Sequence, residues 1–417
     1  MTFLPMPPNL LRLLALLPFV VLAGCELHSG GSAAPIKVGV LHSQTGVMAT
    51  SEKPLIEAAL MAIDEVNAQG GVVGRKIQPL VVDGQSDPAH AALQAERLIV
   101  EEGVAAIFGC WTSACRKAVK PVVEKHGHLL VYPLQYEGLE QSPNILYTGL
   151  TPNQQIIPSV AWAARHIGRR VYLVGSDYVF PRTANLIVRE YAKATGISIV
   201  GERYLALDGA AVGPVVEEIA RLKPDFVVNT INGDANFAFF DALQQAAASR
   251  KHGEATPKVL SFSVTETEVA HSPSAMSGHY FAWGYFQSIE TRENQRFVAS
   301  FQRRYGADKA IGDPMEAAYV GVHLWADAAN IALGAEPGSV LRVIGGHSFG
   351  APQGIVTVDD KTHHLWHSVR VAEAQPDGRL KIVWSSEFVL PPRPFPLRHT
   401  QEGWKHMAAT LMQGDGK

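Results

Sequence analysis

The sequence predicts an α/β protein with two lobes, each built around a parallel sheet, and a hinge of three crossing strands between them. The chain has 417 residues, which is more than one hydrophobic core ordinarily holds. Short apolar runs alternate with stretches of helical periodicity, the pattern of repeated strand–helix–strand units. The alternation begins at residue 36 and starts again at residue 171, which predicts a second lobe.

The first round of alternation predicts the core of one lobe. Apolar runs bounded by glycine or polar residues predict strands at 36–41, 77–82, 104–108, 129–131 and 144–149. Apolar side chains at helical spacing predict helices at 55–66, 87–101 and 113–123. We expect the last of these strands to cross to the second lobe.

The second round predicts the other lobe and the return of the chain. The predicted strands are 171–175, 226–231 and 259–262, and the predicted helices are 182–195 and 236–248. Residues 280–286 should lead back to the first lobe, which helices near 292–305 and 315–333 complete. Alternating residues predict antiparallel strands at 355–358, 366–371 and 380–384.

These elements divide the body of the chain into two discontinuous lobes. The predicted segments are 36–150 and 281–345 for lobe 1, 151–280 and 346–390 for lobe 2, and 391–417 for an irregular, proline-rich tail. The predicted hinge crossings lie near 149–151, 280–286 and 340–352.

The first 25 residues have the pattern of a signal peptide. Arg12 precedes the apolar run 13–22, which is too short to span a membrane. The ending Leu-Ala-Gly-Cys at 22–25 resembles a bacterial lipobox, so we expect Cys25 to be lipidated after cleavage; a chance cysteine is the alternative. Residues 26–35 would then tether the body to a membrane face.

The composition excludes some classes of partner. Hydrophobic residues make up 47% and charged residues 18% of the chain, and the net charge is −3, so no basic surplus favours nucleic-acid binding. The glycines within 67–76 follow a predicted helix instead of opening one, unlike those of a dinucleotide-binding loop. No cofactor is predicted.

Polar and aromatic loops follow the predicted strands of both lobes. The carboxyl ends of parallel strands share one edge of a sheet, where open α/β proteins bind ligands. The loops in question are 111–113, 132–136, 177–178, 232–234 and 265–266. The helix that starts near Ser113 adds backbone N–H groups and the positive end of its dipole.

Several of these stretches resemble one family. CWTSACRKAV at 110–119, YPLQYEG at 132–138, NAQGGVVGRK at 67–76 and DPMEAAYVGVHLW at 313–325 resemble the urea-binding proteins of ABC-type urea importers. These are relatives of the amide-binding and leucine-binding periplasmic proteins. The resemblance covers nearly the whole mature chain. It implies a type I periplasmic binding protein of two Rossmann-like lobes, a urea or short-amide ligand and ABC permease subunits as partners.

A site for urea needs donors for one oxygen, acceptors for N–H groups and walls that exclude water. We expect Ser113 and nearby helix amides to donate, and Asp234 and Glu266 to accept. The alternative is that the aromatic residues pack the hinge and the acids are surface charges. The candidate ligand-binding residues, with the aromatic ones as walls, are Trp111, Thr112, Ser113, Tyr132, Gln135, Tyr136, Asp177, Tyr178, Asp234, Thr265 and Glu266.

The bulk of the loop at 132–136 bears on specificity. Amino-acid-binding relatives hold a zwitterion with small hydroxyl residues, whereas Tyr132, Gln135 and Tyr136 fill that space here. A small, uncharged ligand is therefore favoured. Thr265 departs from the glycine usual in urea binders. An amide-sensing regulator of the same fold and a branched-chain amino-acid binder remain alternatives.

Two motifs suggest an enzyme or a metal protein. Gly346–Gly350 fits the G-x-S-x-G nucleophile elbow, but Pro352 follows at once where the elbow needs a helix. His363, His364 and His367 lack partners with zinc-ligand spacing, and we expect a surface hairpin there. We therefore predict no catalytic residue and no metal site.

The two cysteines of the mature body lie close together in sequence. Cys110 ends a predicted strand, and Cys115 stands in the first turn of the next helix. An oxidising compartment would allow them to pair. We expect two unpaired, packed thiols.

Overall fold

A computed structural model describes residues 2, 34–207, 211–248 and 256–413. The expected lipidation site Cys25 lies outside the described residues, as do the expected signal peptide apart from residue 2 and most of the expected tether. Within the part of the chain that is described, no helix is long and apolar enough to cross a membrane.

The first part of the chain forms a parallel sheet with helices between its strands. Its elements are β1 Ile36–His42, α1 Ala49–Ala68, β2 Ile77–Asp83, α2 Pro88–Val100, β3 Ile107–Gly109, α3 Ser113–Lys125, β4 Leu130–Tyr132 and β5 Ile145–Tyr147. The strand order is β2-β1-β3-β4-β5, and every neighbouring pair is parallel. The predicted strand–helix alternation is confirmed here.

The second part forms a larger sheet. Its elements are α4 Ile156–His166, β6 Arg170–Ser176, α5 Val179–Thr195, β7 Ser198–Leu205, α6 Val212–Leu222, β8 Phe226–Thr230, α7 Ala235–Ala248, β9 Lys258–Ser261, α8 Glu266–His271, α9 Pro273–Met276 and β10 Tyr280–Trp283.

The remaining chain completes both halves. Its elements are α10 Arg292–Tyr305, α11 Asp313–Ile331, α12 Pro337–Val343, β11 Ser348–Ala351, β12 Gly354–Val358, β13 Leu365–Trp366, β14 Arg370–Ala374, β15 Leu380–Ser385 and α13 Gln401–Gln413. The second sheet has the order β15-β14-β10-β9-β8-β6-β7, in which β14 and β15 are antiparallel additions.

We call the sheet β1–β5 and the elements packed on it the first lobe, and the sheet β6–β10 with β14 and β15 the second lobe. A third, antiparallel sheet, β11-β12-β13, packs on the first lobe, because its buried Val356 and Leu365 share a core with Val38 and Trp325. The sequence assigns this stretch to lobe 2, since alternation identifies a strand but not its packing partner. The other lobe boundaries stay a prediction.

The chain crosses between the lobes between β5 and α4, between β10 and α10, and between β13 and β14. The α/β fold of two lobes with parallel sheets is confirmed. The third crossing lies after residue 366 instead of at 340–352, because β11–β13 belong with the first lobe.

The end of the chain contains a helix where the sequence predicts an irregular tail. Trp404 of α13 is 1% exposed and donates its Nε1–H to the Pro396 carbonyl at 2.7 Å. Met407 and Leu411 pack against the same core of the second lobe. The prolines end at residue 396, and the spacing of these three apolar residues then supports a helix with one buried face.

Buried polar side chains tie the three crossings together. Asp313 Oδ2, at the start of α11, accepts from the backbone N–H groups of Gly284 and Tyr285 at 3.0 and 2.8 Å. His367 lies 3.1 Å from the Thr148 carbonyl through its Nε2. The second crossing is thereby linked to α11 of the first lobe, and the third crossing is linked to the start of the first.

The same cluster continues through Gln353. Its backbone N–H and its Nε2 donate to the Glu316 carboxyl at 3.2 and 2.8 Å. Arg370 donates to the carbonyl oxygens of Gly284 and Gln353. We call Asp313, Glu316, Gln353, His367 and Arg370 the hinge cluster.

Candidate ligand-binding cleft

The strand-end loops of the two lobes face each other across a closed cleft. Ser51 Oγ of α1 donates to Glu268 Oε1 of α8 at 3.1 Å. Gln135, in the loop after β4, donates its Nε2–H to the Phe262 carbonyl at the end of β9 at 2.9 Å. These hydrogen bonds join the lobes directly, so a small ligand between them would be enclosed.

The loop between β3 and α3 presents backbone donors. Thr112 is the N-cap of α3: its Oγ1 accepts from the Cys115 N–H at 3.1 Å, and its carbonyl accepts from the Arg116 N–H at 3.0 Å. In the described part of the chain, the N–H groups of Ser113 and Ala114 have no partner. Two adjacent amides at a helix N-terminus suit an oxygen acceptor.

The Ser113 hydroxyl does not have a proton available for a ligand, contrary to the donor role expected from the sequence. Its Oγ–H donates to Glu137 Oε2 at 2.5 Å, and it accepts from Arg116 Nη1 at 2.9 Å. A hydroxyl has one proton and two lone pairs. Ser113 Oγ therefore offers a ligand one lone pair, and the backbone N–H groups are the donors of this loop.

Arg116 is a central residue of the site that sequence reasoning missed. It is fully buried, and its guanidinium donates to Glu137 Oε1 and Glu140 Oε1 at 2.9 Å each. It also lies over the Tyr132 and Tyr136 rings, 5.0 and 4.5 Å from their centroids. Sequence reasoning could have identified Arg116 from its position, because it stands three residues after Ser113 on the apolar face of a helix.

The charges around Arg116 are matched. Burial acts to raise the pKa of Glu140, but the positive charges of Arg116 and Lys117 outweigh burial and lower this pKa to about 2. Lys117 Nζ lies 2.9 Å from Glu140 Oε2. Two cations thus face the carboxylates Glu137 and Glu140. We call Ser113, Arg116, Lys117, Glu137 and Glu140 the Arg116 network.

The aromatic residues of the first lobe have different roles. Tyr132 is fully buried and donates its O–H to the Trp111 carbonyl at 2.7 Å, which fixes the loop after β3. Burial lowers the pKa of His364 to about 3, so the ring is neutral. Its Nδ1 lies 2.7 Å from the Thr362 carbonyl and its Nε2 lies 2.6 Å from the Tyr136 hydroxyl, which is also 2.8 Å from the Glu140 carbonyl. Tyr136 therefore packs toward the hinge.

Tyr178 brings the second lobe to this group. Its hydroxyl end is buried although part of its side chain is exposed. Burial and the nearby Tyr132 and Glu137 raise the pKa of Tyr178. Tyr178 of the second lobe therefore lies near Tyr132 and Glu137 of the first lobe.

The predicted acceptor Asp234 and the candidate ligand-binding residue Asp177 lie on the surface. Asp234 is exposed, and the Asp177 side chain is 53% exposed and paired with Arg182 Nε at 2.7 Å. Neither carboxylate joins the buried residues of the cleft. Both belong to the rim.

Thr265 and Glu266 are buried but have other partners. Thr265 caps α8 in a capping box with Glu268, donating its Oγ1–H to Glu268 Oε2 at 2.8 Å. Glu266 Oε1 accepts from the Gln287 N–H at 2.7 Å, whereas its Oε2 has no partner among the described residues. Burial raises the pKa of Glu266 to about 8. It lines a cavity of about 310 Å³ whose lining includes neither Ser113 nor any other first-lobe strand-end residue.

Two buried polar atoms near Phe262 have no partner among the described residues. They are Gln135 Oε1 and Ser263 Oγ, on residues 5% and 3% exposed. A buried polar group without a partner costs about 1–3 kcal/mol, so such atoms mark a place for a ligand or water. Sequence reasoning found Gln135 but passed over Ser263, although Ser263 immediately follows the predicted strand 259–262.

Cys110 and Cys115 form a disulfide, so the expectation of two free thiols is wrong. Their Cα atoms are 5.7 Å apart, within the range that a disulfide bridges. The turn from β3 into α3 brings the two residues together, and sequence alone does not define that turn. The disulfide encloses residues 111–114 of the cleft.

The two alternative motifs have structural roles. Ser348 begins β11 and pairs with Thr357 at 2.8 Å between hydroxyls, so no helix follows it as an elbow requires. His364 and His367 are buried, contrary to the expected surface hairpin. His364 stacks on Tyr147, and His367 lies within hydrogen-bond distance of Gln353 and Thr148. Within the described ranges, no three His, Cys, Asp or Glu residues gather as metal ligands.

Comparison with known proteins adds family information. The model of the periplasmic binding protein domain matches residues 36–401. A solute-binding protein of an ABC transporter from Rhodopseudomonas palustris HaA2, solved with p-hydroxybenzoic acid, superposes with a TM-score of 0.78 at 24% identity, covering 87% of this chain and 99% of that one. At this identity the likeness concerns the fold.

Two curated proteins match over shorter stretches. The Leu/Ile/Val-binding protein of Escherichia coli K12 is 28% identical over 116 residues, 27% of this chain and 31% of that protein. A protein of Geobacillus stearothermophilus named limonene hydroxylase is 30% identical over 141 residues, 32% of this chain and 26% of that protein. The chain thus spans less than a third of either relative.

Proposed function

The chain belongs to the periplasmic binding protein family, and from this premise we propose that it is an extracytoplasmic lipoprotein that captures urea or a short-chain amide between its lobes and delivers it to an ABC importer. The observation that carries the ligand class is the pair of buried, unpartnered polar atoms, Gln135 Oε1 and Ser263 Oγ. They come from opposite lobes and flank the same carbonyl, that of Phe262.

A neutral diamide complements this arrangement. Gln135 Oε1 is a hydrogen-bond acceptor, so it requires an N–H or O–H donor from the ligand, and the Ser113 hydroxyl offers a lone pair as a second acceptor. The N–H groups of Ser113 and Ala114 suit the single carbonyl oxygen. Urea supplies one acceptor and four N–H donors, so it would satisfy both kinds of group.

The charges near the cleft do not favour an acid or an amino acid. Arg116, the cation nearest the Ser113 loop, is already paired with two buried carboxylates. The carboxylates that would hold an ammonium group, Asp177 and Asp234, lie on the rim. The relatives named for branched amino acids or solved with an aromatic acid therefore do not transfer their ligands to this chain.

Titration calorimetry with urea, acetamide, leucine and p-hydroxybenzoate tests the assignment. Acetamide replaces one NH₂ of urea with a methyl group and leaves a buried acceptor unpaired, at about 1–3 kcal/mol. We expect urea to bind roughly tenfold to a hundredfold more tightly than acetamide, and the other two ligands not to bind. Tight binding of leucine or p-hydroxybenzoate would overturn the ligand class and leave the fold intact.

Ser263→Ala is the sharpest variant for this site, because it removes one unpartnered buried hydroxyl. We expect it to weaken urea binding roughly tenfold. Ser159→Ala is the matched control: Ser159 Oγ is also buried and unpartnered, but it lies within α4 and not in a strand-end loop. Equal losses in both variants would count against the proposed position of the ligand.

Two further measurements separate the proposal from its rivals. An amidohydrolase would release ammonia from urea or acetamide, and we expect no catalytic release.

A regulator of the same fold would need no membrane anchor, whereas we expect Cys25→Ser to move the protein from the membrane to the soluble fraction. An unchanged membrane fraction after this substitution would contradict the lipoprotein assignment.

A further inference from the structure

The disulfide between Cys110 and Cys115 closes a small covalent ring around the loop that faces the cleft. Cys110 is fully buried at the end of β3, and its N–H donates to the Leu41 carbonyl at 3.0 Å. Cys115 is partly exposed in the first turn of α3. The ring therefore joins the edge of the sheet to the start of the helix.

Each residue inside the ring contributes to the cleft. The Trp111 carbonyl accepts from Tyr132, and Thr112 caps α3 through the N–H of Cys115 itself. Ser113 and Ala114 carry the two N–H groups that have no partner in the described chain. The direction of these two donors depends on the path of the backbone from Cys110 to Cys115.

The backbone along this path adopts a conformation that is unfavourable unless other contacts stabilise it. Cys110 has φ of 64°, in the left-handed region that side chains other than glycine rarely adopt. The preceding Gly109 lies so close to β1 that a Cβ there would be 2.2 Å from the Leu41 oxygen. The chain thus leaves β3 through a tight, strained turn, and a covalent link across the turn opposes its relaxation.

We propose that the Cys110–Cys115 disulfide is a positioning element for ligand binding: it preorganises the Ser113 and Ala114 N–H groups, so that its reduction weakens binding while the fold persists. The inference rests on the proposed function, in which these amides bind a urea or amide oxygen. Preorganisation raises affinity by removing the ordering cost from the binding step. The expected loss on reduction is roughly tenfold in Kd.

Reduction is a complete and reversible chemical step. A dithiol such as dithiothreitol attacks the more exposed sulfur of Cys115 as a thiolate, the Sγ–Sγ bond breaks, and the Cys110 sulfur leaves and takes up a proton. The second thiol of the reagent then releases Cys115 and closes an oxidised ring. Two electrons pass from the dithiol to the protein, and both cysteines end as thiols.

The test uses the Cys25→Ser protein, which retains only this cysteine pair, in oxidised, reduced and reoxidised forms. Calorimetry with urea should give a roughly tenfold higher Kd after reduction and recovery after reoxidation. Hydrogen exchange at residues 111–114 without ligand should become faster on reduction, with exchange in the strands β1 and β8 unchanged. The double variant Cys110→Ser, Cys115→Ser should match the reduced form in both measurements.

The outcomes are distinguishable from those of the ligand assignment. Equal urea affinity and equal exchange in the oxidised and reduced forms would overturn the positioning role. Faster exchange throughout the chain would also overturn it, since the disulfide would then support the whole fold. If the oxidised protein fails to bind urea, the proposed function is wrong, and exchange at 111–114 still decides whether the disulfide orders the loop.

Discussion

The Arg116 network and the hinge cluster use the same kinds of side chain, but the pKa values of their carboxyl groups shift in opposite directions. In the Arg116 network, the guanidinium points at the carboxylates, and the pKa of Glu140 falls to about 2. In the hinge cluster, Arg370 points at backbone carbonyls, and burial raises the pKa of Asp313 to about 7 and that of Glu316 to about 8. The geometry of pairing, and not the number of charges, decides the direction.

The difference matches what each region does in the proposed function. The Arg116 network supports a loop whose donors must stay in place for a small ligand. The hinge cluster joins the three crossings, about which the lobes would rotate when the cleft opens. Once protonated, the hinge carboxyls are held less firmly by their amide partners than the ion pairs of the Arg116 network, since charge-assisted hydrogen bonds are about twice as strong as neutral ones.

Removal of Arg116 should give the largest effect in either cluster. Arg116→Met leaves Glu137 and Glu140 buried without their main counter-charge, and we expect a loss of about 3–5 kcal/mol in the free energy of unfolding. Guanidinium unfolding is the suitable measurement because urea is the proposed ligand. Lys117→Met is the control: its side chain is 39% exposed, and its loss should stay below about 1 kcal/mol.

The hinge cluster should make stability fall as the pH rises. The folded pKa of Glu316 lies above its unfolded value of 4.5, so its contribution is fully present below pH 4.5 and is lost as the pH rises through about 8. We expect Glu316→Gln to flatten this loss by about 1–3 kcal/mol between pH 5 and pH 9. Guanidinium unfolding of wild type and variant at both pH values measures this difference. If the free energy of unfolding changes with pH equally in both proteins, the proposed difference between the hinge cluster and the Arg116 network is wrong.

Ser113→Ala tests the link between the Arg116 network and the ligand. The variant removes the hydroxyl that donates to Glu137, and we expect about 1–2 kcal/mol of lost stability. Urea and acetamide should both bind more weakly, because both would contact this loop. Calorimetry beside unfolding measures the two losses, and normal affinity for both ligands would remove Ser113 from the site.

Substitution of the two carboxylates on the rim of the cleft should have the smallest effect on urea affinity and stability. Asp177→Asn and Asp234→Asn alter exposed carboxylates, so affinity for urea should change less than twofold and stability by less than about 0.5 kcal/mol. A tenfold loss of urea affinity in either variant would move that residue back into the ligand site. Calorimetry on the two variants beside wild type is sufficient.

Much of the architecture follows from local patterns in the sequence. Apolar runs and helical spacing predict all five strands of the first sheet and the strands β6, β8 and β9 of the second, because period and length distinguish these elements. The strand β7 and the helices α4 and α6 are not predicted. The loops after β3 and β4 lie at strand ends in both prediction and structure, and α3 starts at Ser113, close to the predicted position. These features depend on residues close in the chain.

The tertiary structure alone decided how distant polar groups pair. Tyr136 meets His364 across 228 positions, and Gln135 meets Phe262 across 127. Periodicity reports that a face is buried but not what covers it, so β11–β13 were placed on the wrong lobe. For the same reason, sequence reasoning included Glu266 among the candidate ligand-binding residues and overlooked Ser263. A hydrogen bond needs atoms placed within tenths of an ångström by separate elements, and no local pattern contains that information.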